Sequence, residues 1–195
     1  MSDAKADNER IADVEKYYDI ILPDSYKDFV SQYGGLCMKL FVIEPEVAGE
    51  IGESTIYENY DAVATKGERP IISHLHFIFM GWLGDDILEV TPCFLISEKL
   101  KKAIERSDLK GYKFEDIEIS LSEEYEDMYP NREEPCFCRL LPQGTINVQD
   151  EMYSNWDGMD FCVTEKSYLV LSEKAIKILK CFQIDNADIT EIFPK

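Results

Sequence analysis

The chain of 195 residues is poor in histidine, with two, and poor in basic groups, with 20 Lys and Arg against 39 Asp and Glu. It also lacks any apolar run near the roughly 20 residues that a membrane-spanning helix needs. Each shortage excludes something. The longest apolar candidate, Ile71 to Trp82, is broken by Ser73, His74 and His76, and Met1 to Arg10 is polar with no apolar signal region. A cytoplasmic protein without a membrane partner is expected. A formal charge of −19 argues against nucleic acid, because phosphates call for basic groups. His74 and His76 stand two apart on a strand-like segment, but no Cys-x-x-Cys or His-x-x-x-His spacing completes a zinc site. The glycine spacings match neither a phosphate-cradling loop nor a dinucleotide fingerprint, so no metal and no cofactor is expected. Cysteines at 37, 93, 136, 138, 162 and 181 are scattered, mostly in apolar segments. They read as reduced, small hydrophobes and not as a disulfide framework.

What is present is a folded composition, 45% hydrophobic and 30% charged, that repeats itself. Trp82-Leu83-Gly84-Asp85-Asp86-Ile87 returns as Trp156-Asp157-Gly158-Met159-Asp160-Phe161, offset by 74. Phe94-Leu95-Ile96-Ser97-Glu98-Lys99 returns as Leu169-Val170-Leu171-Ser172-Glu173-Lys174, offset by 75. The second offset persists past the helix-like stretches, matching Leu109 with Ile184, Phe114 with Ile189 and Ile117 with Ile192. Each copy therefore reads as strand, capped helix, strand. Ser97 and Ser172 are the expected N-caps, each worth about 1 kcal/mol. Leu100, Ala103 and Ile104 in one copy, and Ala175, Ile178, Leu179 and Phe182 in the other, form the buried stripes.

The expected fold class is α+β: two pseudo-repeated lobes around a mixed or antiparallel sheet, plus N-terminal helices. The segments are 1–81 (helical and strand), 82–141 (first lobe) and 142–195 (second lobe). No Pro/Ser-rich linker divides them, so they are expected to form one structural domain. Ile11 to Tyr18 has helical spacing, and Asp24 is placed to cap a helix from Ser25 to Tyr33 that Gly34-Gly35 would stop. Tyr60 to Arg69 reads as an irregular connection. Pro70 to Met80 and Phe114 to Leu121 read as strands, and Ser122 to Glu134 as an acidic connection.

The negative charge is segregated. Glu115 to Glu134 holds nine acids and one base, Arg132, whereas Glu98 to Lys113 holds six bases and three acids. Tyr125, Met128 and Tyr129 are interleaved with Glu123, Glu124, Glu126 and Asp127. Aromatic and Met anchors among steering acids are an interface composition, while a solvated loop with tucked aromatics is the alternative. The repeated Trp-x-Gly-x-Asp turn also has two readings. In one, Trp fills the core, Gly permits a tight turn and Asp86 or Asp160 binds backbone N–H groups. In the other, Trp82 and Asp85 lie on a rim and touch a partner.

Two stretches resemble known families. The segment Phe94 to Lys101, with its echo at Leu169 to Lys174, resembles the strand-then-helix pattern of bacterial immunity proteins, which protect their makers against polymorphic toxins. Ile11-x-x-Val14-Glu15, Leu22-Pro23-Asp24-Ser25-Tyr26-Lys27-Asp28-Phe29 and Tyr33-Gly34-Gly35 are similar to the opening of SUKH-superfamily proteins, many of which are also immunity proteins. The two resemblances imply different folds and the same role: a non-enzymatic module that neutralises a toxin, here a basic one, with no catalytic residues. The partner contacts would be Glu123, Glu124, Tyr125, Glu126, Asp127, Tyr129, Trp82 and Asp85. Two other readings stand beside this one: a small enzyme using His74, His76 and Cys93 or Asp86, and a self-associating scaffold.

Overall fold

Ser97 and Ser172 open two helices by the same device, and the fold is built around that pair. A computed structural model describes residues 21, 23, 39–66 and 69–195. The chain divides into two compact units, Met1–Met38 and Lys39–Lys195, and every described element belongs to the second. The expected helices at Ile11 to Tyr18 and Ser25 to Tyr33, with the stop at Gly34-Gly35, lie outside the described residues.

In chain order the elements are β1 (Leu40–Glu44), β2 (Gly49–Ile51), β3 (Ile56–Tyr57), α1 (Tyr60–Lys66), β4 (Ile72–His74) and β5 (His76–Phe79). The first repeat follows as β6 (Ile87–Val90), β7 (Cys93–Ser97), α2 (Glu98–Glu105) and β8 (Tyr112–Glu115). Then come β9 (Glu118–Leu121), α3 (Glu123–Met128), β10 (Phe137–Pro142), β11 (Gly144–Thr145), β12 (Asn147–Gln149) and β13 (Met152–Ser154). The second repeat closes the chain as β14 (Phe161–Val163), β15 (Leu169–Ser172), α4 (Glu173–Leu179) and β16 (Asp188–Pro194). The fold is α+β, with strands and helices largely segregated in layers.

The two lobes share one topology. In the first, an antiparallel sheet has the order β6-β7-β10-β8; in the second, the centre of a seven-stranded mixed sheet has the order β14-β15-β1-β16. Ser97 pairs with Phe137 and Ser172 with Leu40, so β1 holds in one lobe the place of β10 in the other. The second lobe thus takes its third strand from Leu40–Glu44, far outside residues 142–195.

Both sheets turn one face to the same core. Ile87, Phe94, Ile96, Leu100, Ile104 and Leu109 from the first lobe meet Phe161, Leu169, Leu171, Ala175, Leu179 and Ile184 from the second. The strands' alternation sends their other residues outward. Leu88, Leu95, Cys93 and Phe137 on the outer face of the first sheet are covered by Phe77, Phe79 and Tyr125.

Four expectations need correction, the first being Ser122 to Glu134, which opens with the helix α3 and is not wholly a connection. Tyr60–Lys66 is helical, not irregular. The expected strand from Phe114 to Leu121 is two strands in different sheets, so Ile117 lies beyond β8 while Ile192 lies inside β16. The expected strand from Pro70 to Met80 is likewise split, with Leu75 between β4 and β5.

Candidate partner-binding surface

The repeated turn is a joint between the lobes. Trp82 Nε1 donates to the Asp85 carbonyl at 2.9 Å, and Trp156 Nε1 donates to the Met159 carbonyl at 2.9 Å. Gly84 and Gly158 take positive φ angles of 121° and 87°, which closes each turn. The aspartates that follow are buried and act alike. Asp86 Oδ1 accepts from the Ser97 hydroxyl and Asp160 Oδ1 from the Ser172 hydroxyl, both at 2.6 Å. Their second oxygens cross to the other lobe: Asp86 Oδ2 accepts from the Gln183 N–H at 3.0 Å, Asp160 Oδ2 from the Lys110 N–H at 2.8 Å. Each carboxylate thereby ties its own helix cap to the loop after the other helix. Lys99 Nζ adds an ion pair to Asp86 at 3.0 Å.

Asp85 does not lie on a rim. It is 0% exposed, and its carboxylate accepts from the Asn186 backbone N–H at 2.9 Å and side-chain amide at 2.8 Å. Both oxygens are used inside the fold, so none of it faces a partner.

Trp82 comes together with the acidic segment. Ser122 caps α3, its Oγ accepting from the Tyr125 N–H at 3.1 Å, and Glu123, Glu124 and Glu126 sit in the first turn where the helix dipole favours negative charge. Tyr125 faces inward at 2% exposure, its ring 5.8 Å from Phe79 and 5.0 Å from Tyr129. Glu123, Glu124, Glu126 and Asp127 are left exposed on the other side. Beyond α3 the chain folds back, and Arg132 Nη1 donates to the Trp82 carbonyl at 2.6 Å. Its guanidinium carbon lies 3.9 Å from the Trp82 ring centroid and 5.0 Å from that of Tyr129. A cation held between two aromatic faces stiffens the segment. Burial pushes the Tyr125 phenol up from its ordinary pKa, and the Arg132 charge partly opposes that.

Around this stack lie apolar side chains that the fold leaves uncovered: Leu83 at 66%, Met128 at 55% and Met80 at 39% exposure. Met128 Cε comes 3.8 Å from where a side chain on Gly81 would begin, so Met128 and the Met80–Leu83 turn are neighbours. The result is an apolar patch beside an acidic helix. Sequence reasoning missed Arg132, Met80 and Leu83; the signal for Arg132 was its being the one base among nine acids.

Of the residues of an enzymatic reading, the two histidines both approach Glu118, at 3.1 Å and 3.9 Å. His74 Nε2 lies 3.1 Å from Glu118 Oε2 on the surface, and His76 Nε2 lies 2.9 Å from Ser120 Oγ. Burial raises the Cys93 thiol above its ordinary pKa, with Arg139 and Arg69 pulling it back, and Asp86 is inside the lobe joint. Cys138 is pushed up to about 11 and Cys162 to about 12, first by burial, which leaves both as inert thiols. Among the described residues all five cysteines are free, and no group of three His, Cys, Asp or Glu could hold a metal.

Residues 8–69 match the SUKH_6 family model, described as SMI1-KNR4 cell-wall. The match starts before the resemblance read at Ile11 and runs past Gly35 through β1, β2, β3 and α1. No curated protein matches the chain. The acidic helix lies C-terminal to the matched segment, and the matched segment bonds to the Trp82 turn and to β6. Glu46, inside the match, accepts from the Leu83 N–H at 2.7 Å, and its carbonyl accepts from the Glu89 N–H at 2.9 Å. No helix among the described residues is long and apolar enough to cross a membrane.

Proposed function

We propose that this chain is a non-enzymatic, cytoplasmic protein-binding module: an immunity protein that neutralises a basic bacterial toxin by covering it. The observation that carries the reading is the uncovered apolar patch of Met80, Leu83 and Met128 beside the exposed acids of α3. Burying such side chains contributes affinity, and the acids steer a positively charged partner into contact. A formal net charge of −19 extends the attraction beyond the patch. The SUKH-type match supports the same role, since SUKH domains are commonly immunity proteins of toxin systems. The contact surface we assign is Glu123, Glu124, Glu126, Asp127, Tyr129 and the exposed part of Trp82, with Tyr125 as support beneath.

The test is co-expression with the toxin domain encoded beside the gene. The chain should restore growth and co-purify with the toxin. Charge reversal of Glu123, Glu124, Glu126 and Asp127 to Lys should slow association by about tenfold or more at low salt and remove most of its salt dependence. Growth arrest despite folded, abundant protein would count against the reading.

A further inference from the structure

Beside the patch runs a groove of about 520 Å³ between the start of α2 and the segment 132–137, within the size range of ligand clefts. Trp82, Pro135 and Phe137 supply its apolar walls, with Glu98, Glu133 and Glu134 at its margin. Of the groove's own cations, one is ion-paired and the other is held on Trp82 with its charge kept. Arg132 is bound to the Trp82 carbonyl and ring, and Lys99 reaches the buried Asp86. Glu98 is engaged by Lys101 at 3.3 Å and Lys102 at 3.8 Å. Glu133 and Glu134, by contrast, are exposed and make no side-chain ion pair or hydrogen bond among the described residues.

We infer that this groove receives an arginine or lysine side chain from an extended segment of a protein partner. The inference rests on the protein-binding reading and names what the partner presents. Long cationic side chains match the groove at both ends: their methylene stems pack on Trp82 and Phe137, and their charged heads reach the two unpaired carboxylates. An anionic segment would meet four lining carboxylates against two cations, Lys99 and Arg132, and a wholly apolar one would strip water from Glu133 and Glu134 without return.

The experiment uses the full chain carrying Trp156→Phe, which leaves Trp82 as its one tryptophan. Trp82 fluorescence is followed on titration with hexa-arginine and hexa-glutamate peptides at near-physiological salt. A saturable change is expected with hexa-arginine alone. Glu133→Gln with Glu134→Gln should weaken it about tenfold or more, roughly 1.4 kcal/mol. Glu165→Gln with Asp185→Asn, an equal charge change at exposed acids of the other lobe, should weaken it less than about twofold by screening. Equal weakening by both pairs, or no saturable change, overturns the inference, since attraction would then follow net charge alone. The toxin assay separates this from the underlying reading. Rescue of growth undiminished by the Glu133 and Glu134 changes removes the groove from the interface and leaves the binding module intact. Peptide binding without rescue keeps the groove and removes the toxin.

Discussion

At the scale of single residues, three serines cap helices among the described residues, and two of these have a second task. The hydroxyls of Ser97 and Ser172 accept from a helix N–H and also donate to a buried carboxylate, whereas the Ser122 hydroxyl accepts from Tyr125 alone among the described residues. Ser122→Ala should therefore cost about 1 kcal/mol. Ser97→Ala or Ser172→Ala also strips a donor from Asp86 or Asp160 and should cost about 2 to 4 kcal/mol. Urea midpoints measure this, and equal losses at all three sites would contradict the assigned double role. Glu46 gives a pH-dependent counterpart. Burial, with the Asp85 charge adding to it, raises its carboxyl pKa, and its Oε2 is buried without a partner among the described residues. A raised carboxyl pKa means the contribution to stability is present below the ordinary value and is lost as pH rises through the folded value. Glu46→Gln, which cannot ionise, should therefore gain stability relative to the parent as pH rises above the ordinary carboxyl value. A difference that stays flat with pH would remove the claim.

At the scale of elements, the sequence made the repeated parts readable and hid the pairing. Strand, Ser cap and helix were legible in both copies because cap chemistry and apolar spacing are local. α3 was not, because its polar face was taken for a solvated connection; Ser122 three residues before Tyr125 was the overlooked signal. The place of β1 between β15 and β16 was beyond reach for a different reason. Strand neighbours separated by more than a hundred residues leave no mark in spacing. The reach of Asp86 to Gln183, and of Asp160 to Lys110, was hidden in the same way. Two glycines test this joint. Gly158 and Gly111 have nearly equal φ angles of 87° and 86°, but a methyl on Gly158 meets nothing within 4 Å. On Gly111 it would come 2.6 Å from Met159 Cβ in the opposite lobe's turn. Gly158→Ala should cost about 1 to 2 kcal/mol from backbone strain alone. Gly111→Ala should cost a further 1 to 3 kcal/mol, roughly, from the forced separation of the loop and turn. Similar urea midpoints for the two would argue that the lobes do not press together there.

At the scale of the whole Lys39–Lys195 unit, the question is whether two lobes of one topology unfold as one. Three features require it. The helices α2 and α4 share one core, β1 completes the second lobe's sheet while Glu46 just after it holds the first lobe's turn, and each buried aspartate bonds across the joint. Neither lobe could lose its packing without exposing apolar surface on the other, which is the condition for all-or-none unfolding. The two tryptophans allow this to be read lobe by lobe, because Trp82 belongs to the first and Trp156 to the second. In a Trp82→Phe background, fluorescence follows the second lobe only, while circular dichroism follows both. The two urea curves should coincide. Adding Leu100→Ala deletes a fully buried side chain of the first lobe and should cost about 2 to 5 kcal/mol. That whole loss should register at Trp156, which belongs to the lobe that was not changed. A Trp156 transition left in place while the dichroism curve splits would mean two independent lobes, and the cross-lobe bonds of Asp86 and Asp160 would then be contacts of convenience and not the joint of the fold.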